Sequence, residues 1–165
     1  AAHRFGDPSL AETQMGPVID GPAADTIMQR LADAQAAGAR LLAGGTREGN
    51  LIAPTVIAGV EPAMPLIAQE TFGPVLALRQ FAELDAAMAE VNASDYGLQA
   101  GIFTNDHAAI RKLSRGLQVG GIMVNEGPDF RAEHVPFGGV KTSGLGREGV
   151  RIAIREMSEP RVVID

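Results

Sequence analysis

What most restricts the fold of this chain is a repeated switch of its apolar period between strand-like and helix-like. "GLQAGIFT" (97–104) reads as a strand, and "DHAAIRKLSRGL" (106–117) as a helix that buries Ile110, Leu113 and Leu117. "VGGIMVN" (119–125) then reads as a strand rich in β-branched residues. Upstream, Val75 to Phe81 is a strand candidate, and "AELDAAMAEVN" (82–92) places Leu84, Ala87, Met88 and Val91 at helical spacing. Strand, helix, strand, helix, strand implies right-handed crossovers, so the expected class is α/β: a mainly parallel sheet with helices on both faces.

The first half extends the pattern. "GPAADTIMQRLADAQAAGAR" (21–40) has Pro22 near a helix start, Ile27, Leu31 and Ala34 on one face, and Gly38 as a stop. Ala39 to Ala43 is a short strand, and "NLIAPTVI" (50–57) a second one, peripheral because Pro54 cannot donate to a ladder. From Glu126 to Gly149 periodicity disappears, and long loops of that kind are usually functional. A short helix, Val150 to Met157, and a strand "PRVVID" (160–165) close the chain; the strand has no neighbour in sequence and is expected to pair across a subunit boundary.

Composition narrows the partners. With 45% apolar and 21% charged residues in 165, the chain can bury an ordinary core. A net charge of −6 without a basic block argues against nucleic acid or an anionic membrane as partner. The longest apolar runs are far shorter than the ~20 residues of a membrane-spanning helix, so a soluble, cytoplasmic protein is expected. Zero cysteines exclude disulfides, thiolate metal sites and a cysteine nucleophile from these residues. The first residue is Ala1, and the opening stretch lacks the features of a signal peptide, so it reads as a start in mid-protein or a trimmed one.

"GLGREG" (144–149) matches G-x-G-x-x-G, with Asp165 about twenty residues on, as the dinucleotide fingerprint asks. The fingerprint also needs a strand running into the first glycine, and "VPFGGVKTS" (135–143) is a polar, glycine-rich loop. A tight turn before a helix, with Gly144 and Gly146 at positive φ, is the preferred reading over a stand-alone dinucleotide-binding enzyme.

In order, "GPVID" (16–20), "AAGARLLAGG" (36–45), "APTVI" (53–57), "QETFGPVLAL" (69–78), "YGLQAGIFT" (96–104), "GGIMVN" (120–125) and "PFGGVKTSGLGREG" (136–149) are present. Together, from about Phe5 to Asp165, they resemble the C-terminal part of an NAD(P)-dependent aldehyde dehydrogenase, closest in wording to the succinate-semialdehyde and lactaldehyde type. The resemblance implies oxidation of an aldehyde to a carboxylic acid: a cysteine thiolate attacks the aldehyde, hydride passes from the thiohemiacetal to nicotinamide, and a glutamate-activated water hydrolyses the thioester. In that family the cysteine, the glutamate base, an oxyanion-stabilising asparagine and the Rossmann domain all precede the part matched here. The implied organisation is a catalytic domain lacking its N-terminal elements over residues 1–149, and a helix with an oligomerisation strand over 150–165.

The same resemblance assigns individual residues. Glu70 matches the glutamate that accepts hydrogen bonds from the nicotinamide ribose hydroxyls, a loop acid being the alternative; Phe72 matches the aromatic beside the nicotinamide ring, a core anchor being the alternative. Phe137 corresponds to an aromatic near the substrate tunnel, with Gly138 and Gly139 permitting close backbone approach. Lys141 and Ser143 have structural roles, and Asn125 fixes the start of the long loop. No catalytic acid, base, nucleophile or metal ligand is assigned to this chain. NAD or NADP is implied for the full-length enzyme, with neither expected on this segment alone, which should be inactive.

In "EGPDFRAEH" (126–134), the segment that shapes the substrate entrance in the family, Phe130 offers an apolar wall and Arg131 and His134 a cationic end. Arg131 either holds a carboxylate or phosphonate by its bidentate fork, or pairs with Asp129 or Glu133 and stiffens the loop. A small acidic or hydroxylated aldehyde is the expected substrate. The alternative function is a non-catalytic truncated homologue serving as an assembly or binding module. Either way an unpaired sheet edge and an uncovered apolar face are expected, and with them a homo-oligomer or a partner chain.

Overall fold

The computed structural model describes residues 3–165. The chain divides into two compact units, the first ending at Ala82 and the second covering Glu83–Asp165.

The first unit is built on α1 (Gly21–Ala36). The Asp20 carboxylate caps it by accepting the Ala23 N–H at 2.8 Å, with Pro22 in the first turn and Gly38 just past the end at φ +100°. Ala24, Ile27, Leu31 and Ala34 form its buried stripe. There follow β1 (Arg40–Ala43), a hairpin of β2 (Arg47–Glu48) and β3 (Leu51–Ile52), β4 (Thr55–Ala58), a short α2 (Pro65–Ala68) and β5 (Val75–Leu78). The main sheet has the order β1-β4-β5, with β4 antiparallel to β1 and parallel to β5. β4 is therefore central, which corrects the expectation of a peripheral strand. Pro54 lies in the gap between β3 and β4, where its missing N–H breaks no ladder bond, and it divides the apolar run into two strands with different partners.

Both helices of this unit feed one core with Ile52, Ile57 and Val60, against which Val75 and Ala77 of β5 pack. Leu76 and Leu78 alternate with those two residues and point the other way, where they are exposed. Helices on both faces of the sheet were expected; here α1 and α2 serve the same side.

In the second unit α3 (Leu84–Ala93), β6 (Tyr96–Gly97) and β7 (Gln99–Ile102) lead to α4 (His107–Gly116), capped by the Asp106 carboxylate. β8 (Gly121–Val124) returns parallel to β7, with Gln99 opposite Gly121 and Ile102 opposite Val124. This is the strand–helix–strand unit read from the sequence. Ile110, Leu113 and Leu117 are only half-buried, however. β9 (Val140–Lys141), inside the stretch read as structureless, pairs antiparallel with β6, and α5 (Val150–Glu156) follows. Among the described residues the strands thus form four small sheets in place of one mainly parallel sheet, because runs of two to four residues change partner at Pro54 and at Leu98.

Residues 160–165 form no strand within this chain, and the pairing expected for them is across a subunit boundary. A strand exists by pairing, no edge is paired with this segment, and Val162, Val163 and Ile164 are 82–91% exposed. No helix among the described residues is long and apolar enough to cross a membrane.

Candidate active site

The loop from Gln69 to Pro74 is held at both ends. Its C-terminal end joins the sheet, where the Pro74 carbonyl accepts the Thr55 N–H at 2.8 Å. Gly73 presses on α1 so closely that a Cβ there would stand 2.5 Å from Ile27 Cδ1. One turn along α1 from Ile27, the Arg30 guanidinium clasps the rest: Nη1 donates to the Glu70 carbonyl at 2.6 Å and to Thr71 Oγ1 at 3.0 Å, and Nη2 donates to Gln69 Oε1 at 2.7 Å.

With its backbone held in this way, Glu70 leaves its carboxylate exposed, and that carboxylate makes no hydrogen bond or ion pair among the described residues. Phe72 is 86% exposed, so it is not a core anchor; the core side of the loop is filled by Ile27 against Gly73. An ionised carboxylate has acceptor capacity for two hydroxyls at once, and an open ring offers a flat apolar face. The pair fits a ligand that presents neighbouring hydroxyls beside a planar ring.

The second group of site residues lies in the second unit. Asn125, at φ +57°, starts the long loop: its N–H donates to the Ile102 carbonyl at 2.7 Å and its Oδ1 accepts the Thr104 N–H at 2.9 Å. Arg131 Nη2 donates to Glu148 Oε2 at 2.8 Å, and its guanidinium carbon stands 4.4 Å from the centroid of the Phe137 ring. Phe137 and Glu148 also exchange backbone hydrogen bonds, at 3.1 and 2.6 Å. The acidic partner of Arg131 is thus Glu148 and not Asp129 or Glu133. The arginine remains half exposed and uses one of its five N–H donors in that pair. Phe130 is exposed nearby in sequence, and His134 is exposed without a hydrogen bond or ion pair among the described residues.

The motif after Phe137 is latched to α3 and β6. Lys141, itself at φ +57°, donates from Nζ to the Asn92 and Ser94 carbonyls at 2.9 and 2.8 Å, the electronegative end of α3. Ser143 Oγ accepts the Gly97 N–H at 2.9 Å. Both side chains thus tie the motif to neighbouring backbone. At Gly139 a Cβ would stand 2.5 Å from Ser143 Cβ, so this close approach needs glycine. Gly144 and Gly146 have φ of +141° and +71° before α5, the turn geometry preferred for "GLGREG". Near the start of the first unit, hydrogen bonds from the Ser9 backbone and side chain hold the Asp7 carboxyl below the usual carboxylate range.

Two residues were missed by sequence reasoning. Glu148 carries no local signal. Arg30 has only its spacing, three positions from the buried Ile27, to mark it.

The aldehyde dehydrogenase family matches the chain over residues 1–163. The chain is 42% identical over 159 residues to the 3-sulfolactaldehyde dehydrogenase of Priestia aryabhattai, covering 96% of this chain and 33% of that protein. Its structure is similar to that of aldehyde dehydrogenase 21 from Physcomitrella patens in complex with the reaction product succinate, with a TM-score of 0.90 and 39% identity over 93% of this chain and 32% of the other. A glyceraldehyde-3-phosphate dehydrogenase from Methanocaldococcus jannaschii complexed with NADP aligns at a TM-score of 0.89 and 38% identity, over 94% of this chain and 34% of the other. The chain spans about a third of the length of the relatives it matches.

Proposed function

The chain belongs to the aldehyde dehydrogenase family, and from that premise we propose that it is the C-terminal part of an enzyme that oxidises a small aldehyde to its acid with NAD(P). The observation that carries this is the clasped loop, which holds its backbone firmly while leaving the Glu70 carboxylate and the Phe72 ring open to a ligand. Glu70 accepts hydrogen bonds from the nicotinamide ribose hydroxyls, and Phe72 flanks the ring. The dinucleotide supplies the hydride acceptor when bound. These 165 residues contain no cysteine, so the cysteine nucleophile comes from the rest of the enzyme.

The entrance loop supports the substrate class. Arg131 keeps donors free beside its bond to Glu148, and Phe130 and Phe137 provide apolar surface, an arrangement suited to a short aldehyde with a second, anionic group. The names of the relatives point the same way, since sulfolactaldehyde, succinate and glyceraldehyde-3-phosphate carry a sulfonate, a carboxylate and a phosphate. Residues 150–165 contribute a helix and an exposed apolar segment to the subunit contact of a cytoplasmic homo-oligomer. The test is NAD(P)H formation from succinate semialdehyde by the complete enzyme and by the 165-residue chain alone. Activity in the first and none in the second is expected; turnover by the isolated chain, or none by the complete enzyme with any acidic or hydroxylated aldehyde, contradicts the proposal.

A further inference from the structure

We infer that Arg30 is a positioning residue for cofactor binding: it sets the conformation of the loop that carries Glu70 and Phe72 without itself touching the ligand. The inference rests on the proposed role of that loop. Nothing else among the described residues gives the segment 69–71 side-chain hydrogen bonds from outside it. Apart from the bond it accepts from Arg30, Thr71 Oγ1 makes only local contacts, to the Leu66 and Gln69 carbonyls at 3.3 and 3.5 Å. Arg30 alone reaches three consecutive residues from a different element, across about forty positions of sequence.

Its geometry explains why an arginine stands there. The planar fork sends one nitrogen to the Glu70 carbonyl and the Thr71 hydroxyl and the other to the Gln69 amide oxygen, a division between two nitrogens that a lysine's single nitrogen cannot reproduce. The guanidinium takes the carbonyl of Glu70 and not its carboxylate, so the side chain that would receive the ribose hydroxyls stays exposed and open. Ile27, on the same face of α1, fixes the other end of the loop through Gly73. A loop held at one end only must be ordered when ligand binds, and that ordering is subtracted from affinity.

The experiment compares Arg30→Ala, Arg30→Lys, Glu70→Gln and Phe72→Ala in the complete enzyme, by direct NAD(P) titration, steady-state kinetics and hydrogen exchange of residues 69–73. For Arg30→Ala the expected result is a cofactor Kd and KM raised about tenfold, an aldehyde KM unchanged, and faster exchange confined to the loop. Arg30→Lys should recover part of the affinity. Arg30→Ala with wild-type cofactor affinity, while Glu70→Gln and Phe72→Ala lose it, overturns the role of Arg30 and leaves the site reading intact. Accelerated loop exchange with cofactor affinity unchanged in all the variants overturns the site reading, and the inference with it.

Discussion

Arg131 and Glu148 form an ion pair at 2.8 Å that ties the middle of the proposed entrance loop to a residue two positions before α5, and the same guanidinium lies over Phe137. The contact joins three positions between Glu126 and Gly149 through one side chain. As an exposed pair it contributes little to stability. Its value is in holding a cation beside an aromatic wall. Arg131→Ala should therefore raise the KM for an acidic aldehyde such as succinate semialdehyde by about tenfold, the worth of one charge-assisted hydrogen bond, and leave neutral aldehydes unaffected. Parallel kinetics on both substrate types checks this.

Lys141 closes the carbonyl end of α3 with a charge, from a backbone conformation uncommon outside glycine. Lys141→Ala leaves those carbonyls without their cationic donor and should cost about 2 kcal/mol of stability. The urea midpoint reports the loss, and hydrogen exchange should place it at β6 and β9.

At Gly120 a Cβ would land on the Gly138 carbonyl, a backbone atom that cannot swing aside as a side-chain tip would. Gly120→Ala is expected to destabilise the chain by about 2–3 kcal/mol through overpacking. Because the strain falls on the turn after Phe137, the variant should also lose activity at temperatures where it remains folded. Activity assayed below the variant's unfolding transition checks this.

The exposed apolar run Val162, Val163 and Ile164 predicts association. Deleting residues 160–165 from the complete enzyme should shift its mass in solution toward smaller species, measurable by light scattering across a dilution series. An unchanged oligomer would show that the segment has no part in the subunit contact.

Much of the fold is legible in the sequence where it depends on neighbours a few positions apart. α1 is readable because the Asp20 cap, Pro22, the buried stripe and Gly38 are all local. The crossover from β7 through α4 to β8 is readable for the same reason. What is not legible depends on pairing across the chain. Pro54 marks an interruption, but only the partners of β3 and β4 show that it falls between two strands and not on a sheet edge. The strand expected at 160–165 needs a partner that no local pattern can supply. At the proposed site, Glu70 and Phe72 are marked by a motif in the sequence, whereas the residue that clasps their loop, Arg30, comes from another element and is joined only by the fold.

The most direct measurement is NAD(P) binding to the complete enzyme with Glu70→Gln. Replacing one carboxylate oxygen by an amide removes an acceptor from the ribose hydroxyls, and the dissociation constant should rise about tenfold with the fold and the aldehyde KM unchanged. A Glu70→Gln enzyme that binds NAD(P) as tightly as the wild type and transfers hydride at the same rate would contradict the placement of the cofactor at this loop.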